Sequence, residues 1–195
     1  MAVMEKKKVP AVFLDRDGTL NSERGYLHKV EEWEWLPGVP EALAMLARAG
    51  FMLVVVTNQS GIARGYYDED SVNRLHEWVN EDLFMRAGVR FSAFYLCPHH
   101  PDYGTACDCR KPAPGMLLRA AAELGIDLAR SWMIGDKPAD IQAGAAAGCR
   151  SLLVLTGYGE NSRKDAGCGR IHCFPGLLEA ADYIIGGAEQ NILIK

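Results

Sequence analysis

The chain has 195 residues, of which 49% are hydrophobic and 24% charged, values of an ordinary folded protein that exclude fibrous and disordered classes. Its formal net charge is −4, and the only basic run, Lys6-Lys7-Lys8, is short and terminal, so a nucleic-acid partner is not expected. No apolar run approaches the roughly 20 residues of a membrane span, and the N-terminus lacks a secretory signal, so we expect a cytoplasmic protein without a membrane partner.

Apolar, β-branched runs recur at Val9 to Leu14, Phe51 to Val56, Phe91 to Leu96, Trp132 to Ile134 and Ser151 to Leu155, and read as buried strands. Helical patterns fill the intervals: Val39 to Ala49 before Gly50, Asp70 to Ala87 before Gly88, Pro114 to Leu124 before Gly125, and Ala139 to Ala147 before Gly148. Each ends at a glycine, the usual C-terminal signal. An edge strand at Ile171 to Phe174 and a helix at Pro175 to Ala181 complete the series, while the glycine-rich stretch from Gly157 to Gly169 leaves the register there open. Regular alternation with short connections predicts a doubly wound parallel α/β sheet, Rossmann-like, in one domain spanning residues 1–195. No heptad seam demands assembly, so a monomer is expected.

In such sheets the chemistry gathers at the carboxyl ends of the strands. Polar clusters follow four of them: Asp15-Arg16-Asp17, Thr57-Asn58-Gln59-Ser60, Cys97-Pro98-His99 and Gly135-Asp136-Lys137. Asp15 and Asp17, joined by Asp136, form an oxygen-rich site of the kind that Mg²⁺ prefers, against which a phosphate could bind. Any one acidic loop residue is as readily a solvated surface group; three at adjacent strand ends are less easily so.

Six cysteines are present, three of them close together. Cys97, Cys107 and Cys109 with a histidine of the His99-His100 pair supply a donor set for tetrahedral Zn²⁺, and four protein ligands make a closed, structural site. Spacing alone does not choose between the two histidines. Such a zinc loop, 97–109, leads directly into Arg110-Lys111.

Asp15-Arg16-Asp17-Gly18-Thr19, then Thr57, Lys111, and Gly135-Asp136 with Asp140 four residues on, resembles the motif series of the haloacid dehalogenase superfamily. The resemblance implies that fold without a large cap domain and a Mg²⁺-dependent phosphatase. Asp15 would attack phosphorus to give a phosphoaspartate, and Asp17 would protonate the leaving alcohol and later activate water. Thr57 would hold a phosphate oxygen and Lys111 offset the phosphoryl charge. Asp136 would bind Mg²⁺ with the Asp15 side chain and the Asp17 backbone carbonyl. Outside such a site, Lys111 would be a plain surface lysine.

Within the superfamily, the zinc-loop sequences resemble the histidinol-phosphatase-like branch, whose members act on a heptose bisphosphate or on histidinol phosphate; the resemblance selects His99 as the zinc ligand. Glu23-Arg24-Gly25-Tyr26 and the Asn58-Gln59-Ser60-Gly61 loop favour the sugar phosphate substrate. By the same resemblance, Glu23, Arg24, Gly25, Tyr26, Asn58, Gln59 and Ser60 wall the substrate site, Arg110 recognises the phosphorylated sugar, and Lys137 also reaches it. The loop between His99 and Cys107 is shorter than the familiar pattern. A rival from another class, a non-catalytic zinc-containing binding protein on this fold, predicts loss of a catalytic carboxylate, and none is lost.

Overall fold

The structure is a computed structural model that describes residues 8–104, 106–166 and 171–192; Lys6, Lys7 and the 167–169 end of the glycine-rich stretch lie outside them. Within the described residues six parallel strands, β1 (Ala11–Leu14), β2 (Met52–Asn58), β3 (Ala93–Cys97), β4 (Trp132–Gly135), β5 (Arg150–Val154) and β6 (His172–Phe174), form one sheet in the order β3-β2-β1-β4-β5-β6. Among the described residues seven α-helices accompany them: α1 (Val39–Arg48), α2 (Ser60–Ala63), α3 (Glu69–Ala87), α4 (Gly115–Leu124), α5 (Pro138–Ala147), α6 (Gly159–Ser162) and α7 (Leu177–Ile192). Among the described residues no helix is long and apolar enough to cross a membrane.

The alternation of side chains along a strand divides the core in two. Val12 and Leu14 face one side with Leu53, Val55 and Ile134, where α1, α3 and α7 bury Leu43, Leu75 and Ala180 against them. Ala11 and Phe13 face the other side with Val54, Val56 and Met133, covered by α4 and α5 through Leu117 and Ala143. Burying each such leucine contributes about 1.5–3 kcal/mol, so both faces hold the sheet between helices as doubly wound folds require. The chain leaves β1 for α1 on one face and leaves β4 for α5 on the other. The adjacent carboxyl ends of β1 and β4 are therefore the topological switch point.

The helix ends follow from local chemistry. Asp68 caps α3 by accepting from Ser71 N at 2.8 Å, and Gly88, Gly125 and Gly148 close α3, α4 and α5 in the left-handed conformation. The last helix runs to Ile192 rather than stopping at Ala181, because Leu177, Ala180, Ala181 and Ile184 continue one buried stripe.

Candidate active site

Asp15 leaves the end of β1 as its backbone N–H donates to Ile134 O of β4 at 2.9 Å, which holds the carboxylate at the switch point. Lys111 reaches it from beyond the cysteine cluster. Its Nζ donates to Asp15 Oδ1 at 2.6 Å and to Val56 O at 2.7 Å, and lies 2.7 Å from Asp140 Oδ1. Lys111 is only 4% exposed. Burial works against its charge, yet the carboxylates of Asp140 and then Asp15 hold its pKa above the ordinary lysine value.

The backbone of Lys111 is fixed as firmly as its tip. Asn58, at the end of β2, donates through Nδ2 to Lys111 O at 3.0 Å and accepts at Oδ1 from Lys111 N at 3.1 Å. Asn58 therefore lines the site chiefly as a clamp on Lys111. Thr57, buried beside it, accepts from Gln59 Nε2 at 2.8 Å.

Asp136 follows β4 and is fully buried; its Oδ2 accepts from Tyr158 N at 2.8 Å, whereas its Oδ1 has no hydrogen-bond partner. Burial first, and the charge of Asp15 second, push its pKa up to about 7. Gly18, at φ +88°, lies where any Cβ would strike this carboxylate and the Cα of Gly157, so a bare backbone is required there. One oxygen each of Asp15, Asp136 and Asp140 lie within 4.8 Å of one another. An orphaned buried carboxylate oxygen among three acids fits a small divalent cation.

Asp140 was part of the motif series but carried no assigned role. Its Oδ2 accepts from Lys137 N at 3.0 Å at the start of α5, half of a capping box, while Oδ1 pairs with Lys111. It is thus the strut between helix and lysine.

Asp17 is bound on both oxygens. Arg16, fully buried, donates through Nη2 to Oδ1 at 3.0 Å and through Nε to Oδ2 at 3.1 Å, while Asn21 and Gln59 each donate at 3.1 Å. Burial opposes its charge, but Arg16 and these hydrogen bonds lower its pKa. The carboxylate is held ionised, the form in which it can accept a proton. Behind it, His76 of α3 lies 3.5 Å from Arg16 Nη1 and stacks on Phe94 with centroids 4.5 Å apart.

A cavity of about 380 Å³ opens over this floor, lined by Asp15, Asp17, Thr57 and Lys111 together with Glu23, Gly25, Tyr26, Asn58, Gln59, Ser60, Arg110 and Lys137. Arg24 is not among these residues; it turns outward to pair with Glu34 at 2.6 Å. Glu23 instead reaches Lys137 Nζ at 3.2 Å. Burial opposes the charge of Lys137, but Asp15, Asp136 and Glu23 raise its pKa. Tyr67 and Tyr158 also line the wall. Sequence reasoning missed both. Tyr67 OH donates to Gln59 Oε1 at 2.9 Å, and the Tyr158 ring lies 4.8 Å from Lys137 Nζ. No spacing in the chain announces either.

Beside the cavity, Cys97 Sγ lies 3.7 Å from Cys107 Sγ, 3.0 Å from Cys109 Sγ and 3.5 Å from His99 Nδ1. All four donor atoms fall within 4.8 Å of one another. With Zn–S bonds of about 2.3 Å, the 3.5 and 3.7 Å separations lie close to the edges of a tetrahedral site, and the 3.0 Å pair would open to admit the ion. Burial, and then the hydrogen bond with Cys109, raise the Cys97 pKa, so a cation is what would hold its thiolate. His100 is not part of the cluster; its Nδ1 lies 3.2 Å from Asp102 N and 3.6 Å from Asp102 Oδ2. Arg110 donates to His99 O at 2.9 Å, which ties the rim cation to the cysteine loop.

The fold and the acid-and-lysine floor define a class. The chain belongs to the haloacid dehalogenase superfamily of hydrolases and, within it, to a family of phosphatases. A family model described as HAD-hydrolase-like matches residues 108–180, the part that carries Lys111, Asp136 and Asp140. The chain is 49% identical over 163 residues to the D-glycero-beta-D-manno-heptose-1,7-bisphosphate 7-phosphatase of Photorhabdus laumondii, covering 80% of this chain and 86% of that one. It is 50% identical over 157 residues to the protein of the same name from Escherichia coli K12, covering 77% and 82%. Among solved structures, the D,D-heptose 1,7-bisphosphate phosphatase of B. bronchiseptica complexed with magnesium and phosphate superposes with a TM-score of 0.83 at 36% identity, over 91% of this chain and 99% of that one. The Burkholderia thailandensis enzyme of that name gives 0.66 at 34% identity, over 90% and 98%.

Proposed function

We propose that this chain removes the 7-phosphate of D-glycero-D-manno-heptose 1,7-bisphosphate, giving the 1-phosphate for nucleotide-activated heptose in lipopolysaccharide or surface-layer glycans. The observation that carries the reading is Asp15 on the cavity floor, held by Lys111 at 2.6 Å, in a chain about half identical to phosphatases named for that substrate. The β anomer in those names is the one we extend to this chain.

Asp15 forms the new oxygen–phosphorus bond as the ester bond breaks, leaving a phosphoaspartate; the leaving alkoxide takes a proton from Asp17. Asp17 then accepts a proton from water, whose oxygen displaces phosphate from Asp15. Its pairing with Arg16 and Gln59 suits the second half of this cycle, and substrate must loosen it for the first. Lys111 and Thr57 offset charge on the phosphoryl oxygens. Asp15 and Asp136, with the Asp17 backbone carbonyl, would hold Mg²⁺, which supplies further charge neutralisation at the phosphoryl group. Cys97, His99, Cys107 and Cys109 would hold a structural Zn²⁺ that fixes the loop bearing Arg110.

Arg110 and Lys137 line the outer cavity and supply cations for a second phosphate; Glu23, Gly25, Tyr26, Gln59 and Ser60 provide the remaining walls. We assign residues 1–195 to a single phosphatase domain, acting as a monomer in the cytoplasm, where the cysteine cluster stays reduced. Phosphate release measured side by side tests the substrate. We expect kcat/KM for the heptose bisphosphate to exceed that for histidinol phosphate about 100-fold or more. A preference for histidinol phosphate would overturn the assignment.

A further inference from the structure

Arg64 stands just beyond α2, outside the cavity, yet it touches two of the loops that shape the cavity mouth. Its Nη1 donates to Tyr103 OH at 3.0 Å, and its Nη2 lies 3.3 Å from His100 Nε2. Both partners belong to the turn that follows His99. Its guanidinium also faces the Tyr103 ring at 4.7 Å and the Tyr26 ring at 5.9 Å. Nε is buried without a partner, so the side chain is held through its tip alone. Tyr26 itself is the one non-glycine described residue with positive φ, at +24°, a conformation that needs outside support. Tyr66, two residues after Arg64, supplies more of it by an edge-on contact at 4.7 Å.

The two rim walls thereby acquire a common fastening. Tyr26 and Arg110 both line the cavity, and Arg110 is tied to His99 O at 2.9 Å. Neither wall belongs to a sheet strand. We propose that Arg64 is a positioning residue that locks the Tyr26 loop to the His100–Tyr103 turn and so sets the span between Tyr26 and Arg110 across which the far end of the substrate binds. This rests on the bisphosphate reading for its substrate, but not for its structural content. A substrate reaching from Asp15 to the rim requires both walls in place and binds more weakly if they must first be ordered; a short phosphate ester that occupies only the floor does not.

The test uses Arg64→Met and the milder Tyr103→Phe, assayed on the heptose bisphosphate and on p-nitrophenyl phosphate, with hydrogen exchange followed in residues 24–28 and 100–103. Arg64→Met should raise KM for the bisphosphate about tenfold while kcat stays within about twofold. Hydrolysis of p-nitrophenyl phosphate should be unchanged, and both segments should exchange faster. Tyr103→Phe should move KM in the same direction by a smaller factor. An unchanged KM with unchanged exchange overturns the proposal, as does an equal loss on both substrates. If the wild-type enzyme ignores the bisphosphate, the substrate assignment fails alone. The exchange data then decide: faster exchange in both segments upholds the fastening, and unchanged exchange overturns it.

Discussion

Lys111→Met probes the cavity floor in one step. Methionine keeps most of the aliphatic stem, so little packing is lost, but three acceptors lose their donor: Asp15 at 2.6 Å, Val56 O at 2.7 Å and Asp140 at 2.7 Å. The Lys111 and Asp140 side chains are each 2% exposed, so the stranded Asp140 carboxylate cannot turn to water. Removing one partner of a buried pair costs about 3–5 kcal/mol. At about 2–4 °C per kcal/mol for a chain of this size, the midpoint of thermal unfolding should fall by about 6–20 °C in magnesium-free buffer. Mg²⁺ should restore part of the difference, because a cation bound only by the folded state shifts the equilibrium toward it. The double variant with Asp15→Asn should lose less than the sum of the singles, since the amide carries no charge to strand. Activity should drop about 10²–10³-fold. A midpoint within about 2 °C of wild type by scanning calorimetry would refute the account of Lys111 as the counter-charge of the floor.

Asp15→Asn should retain the far-ultraviolet circular dichroism of the parent and lose turnover by about 10⁴-fold or more, because an amide cannot attack phosphorus; near-normal phosphate release would remove Asp15 from its role. The buried His76 has its pKa pushed down to about 3, by burial first and Arg16 second, so the unfolded chain takes up a proton that the folded one refuses. Its neutral form is accommodated at no titration penalty above about pH 6.5, and stability falls as pH drops from there toward 3. Between pH 7.5 and 5 this amounts to about 2 kcal/mol. Urea unfolding of His76→Gln, which keeps an acceptor for Arg16, should show a loss smaller by that amount; an identical loss would exclude His76 as the cause. Elemental analysis should find about one zinc per chain after magnesium is exchanged away, and a folded, active, zinc-free enzyme would contradict the ligand set.

Much of the fold was legible because its strands are buried on both faces and read as plain apolar runs. The departures have physical causes. β2 extends to Asn58 because Thr57 and Asn58 still pair with Leu96 and Cys97 of β3, and polar residues at a strand end interrupt a hydrophobic pattern without ending the ladder. β3 begins at Ala93 rather than Phe91, whose N–H is taken by Asn80 Oδ1 at 2.7 Å. α7 continues past Ala181 and through Gly186-Gly187. The short helices α2 and α6 carry no periodicity to detect.

At the site, residue type and order singled out Asp15 and Asp136, the resemblance to the superfamily singled out Lys111, and spacing singled out the cysteines. The sequence could not tell which of two adjacent side chains turns inward. His99 joins the thiols while His100 does not, and Glu23 meets Lys137 while Arg24 meets Glu34. Nor does any pattern reveal that Arg16, an arginine in a loop, is wholly buried behind Asp17.

The way the floor is hydrogen-bonded bears on which ion it can serve. Asp15 is held through Oδ1 by Lys111, Asp136 through Oδ2 by Tyr158 N, and Asp140 through both oxygens. At Asp15 and Asp136 an arriving cation therefore meets carboxylates with one oxygen already engaged, which act as single-point donors and do not readily chelate it. Ca²⁺ favours six to eight oxygens and often a two-oxygen grip, whereas Mg²⁺ keeps several of its own waters in a tight octahedron. With one side of Asp15 and of Asp136 clamped by ordinary hydrogen bonds, the floor would suit the smaller ion better than the larger.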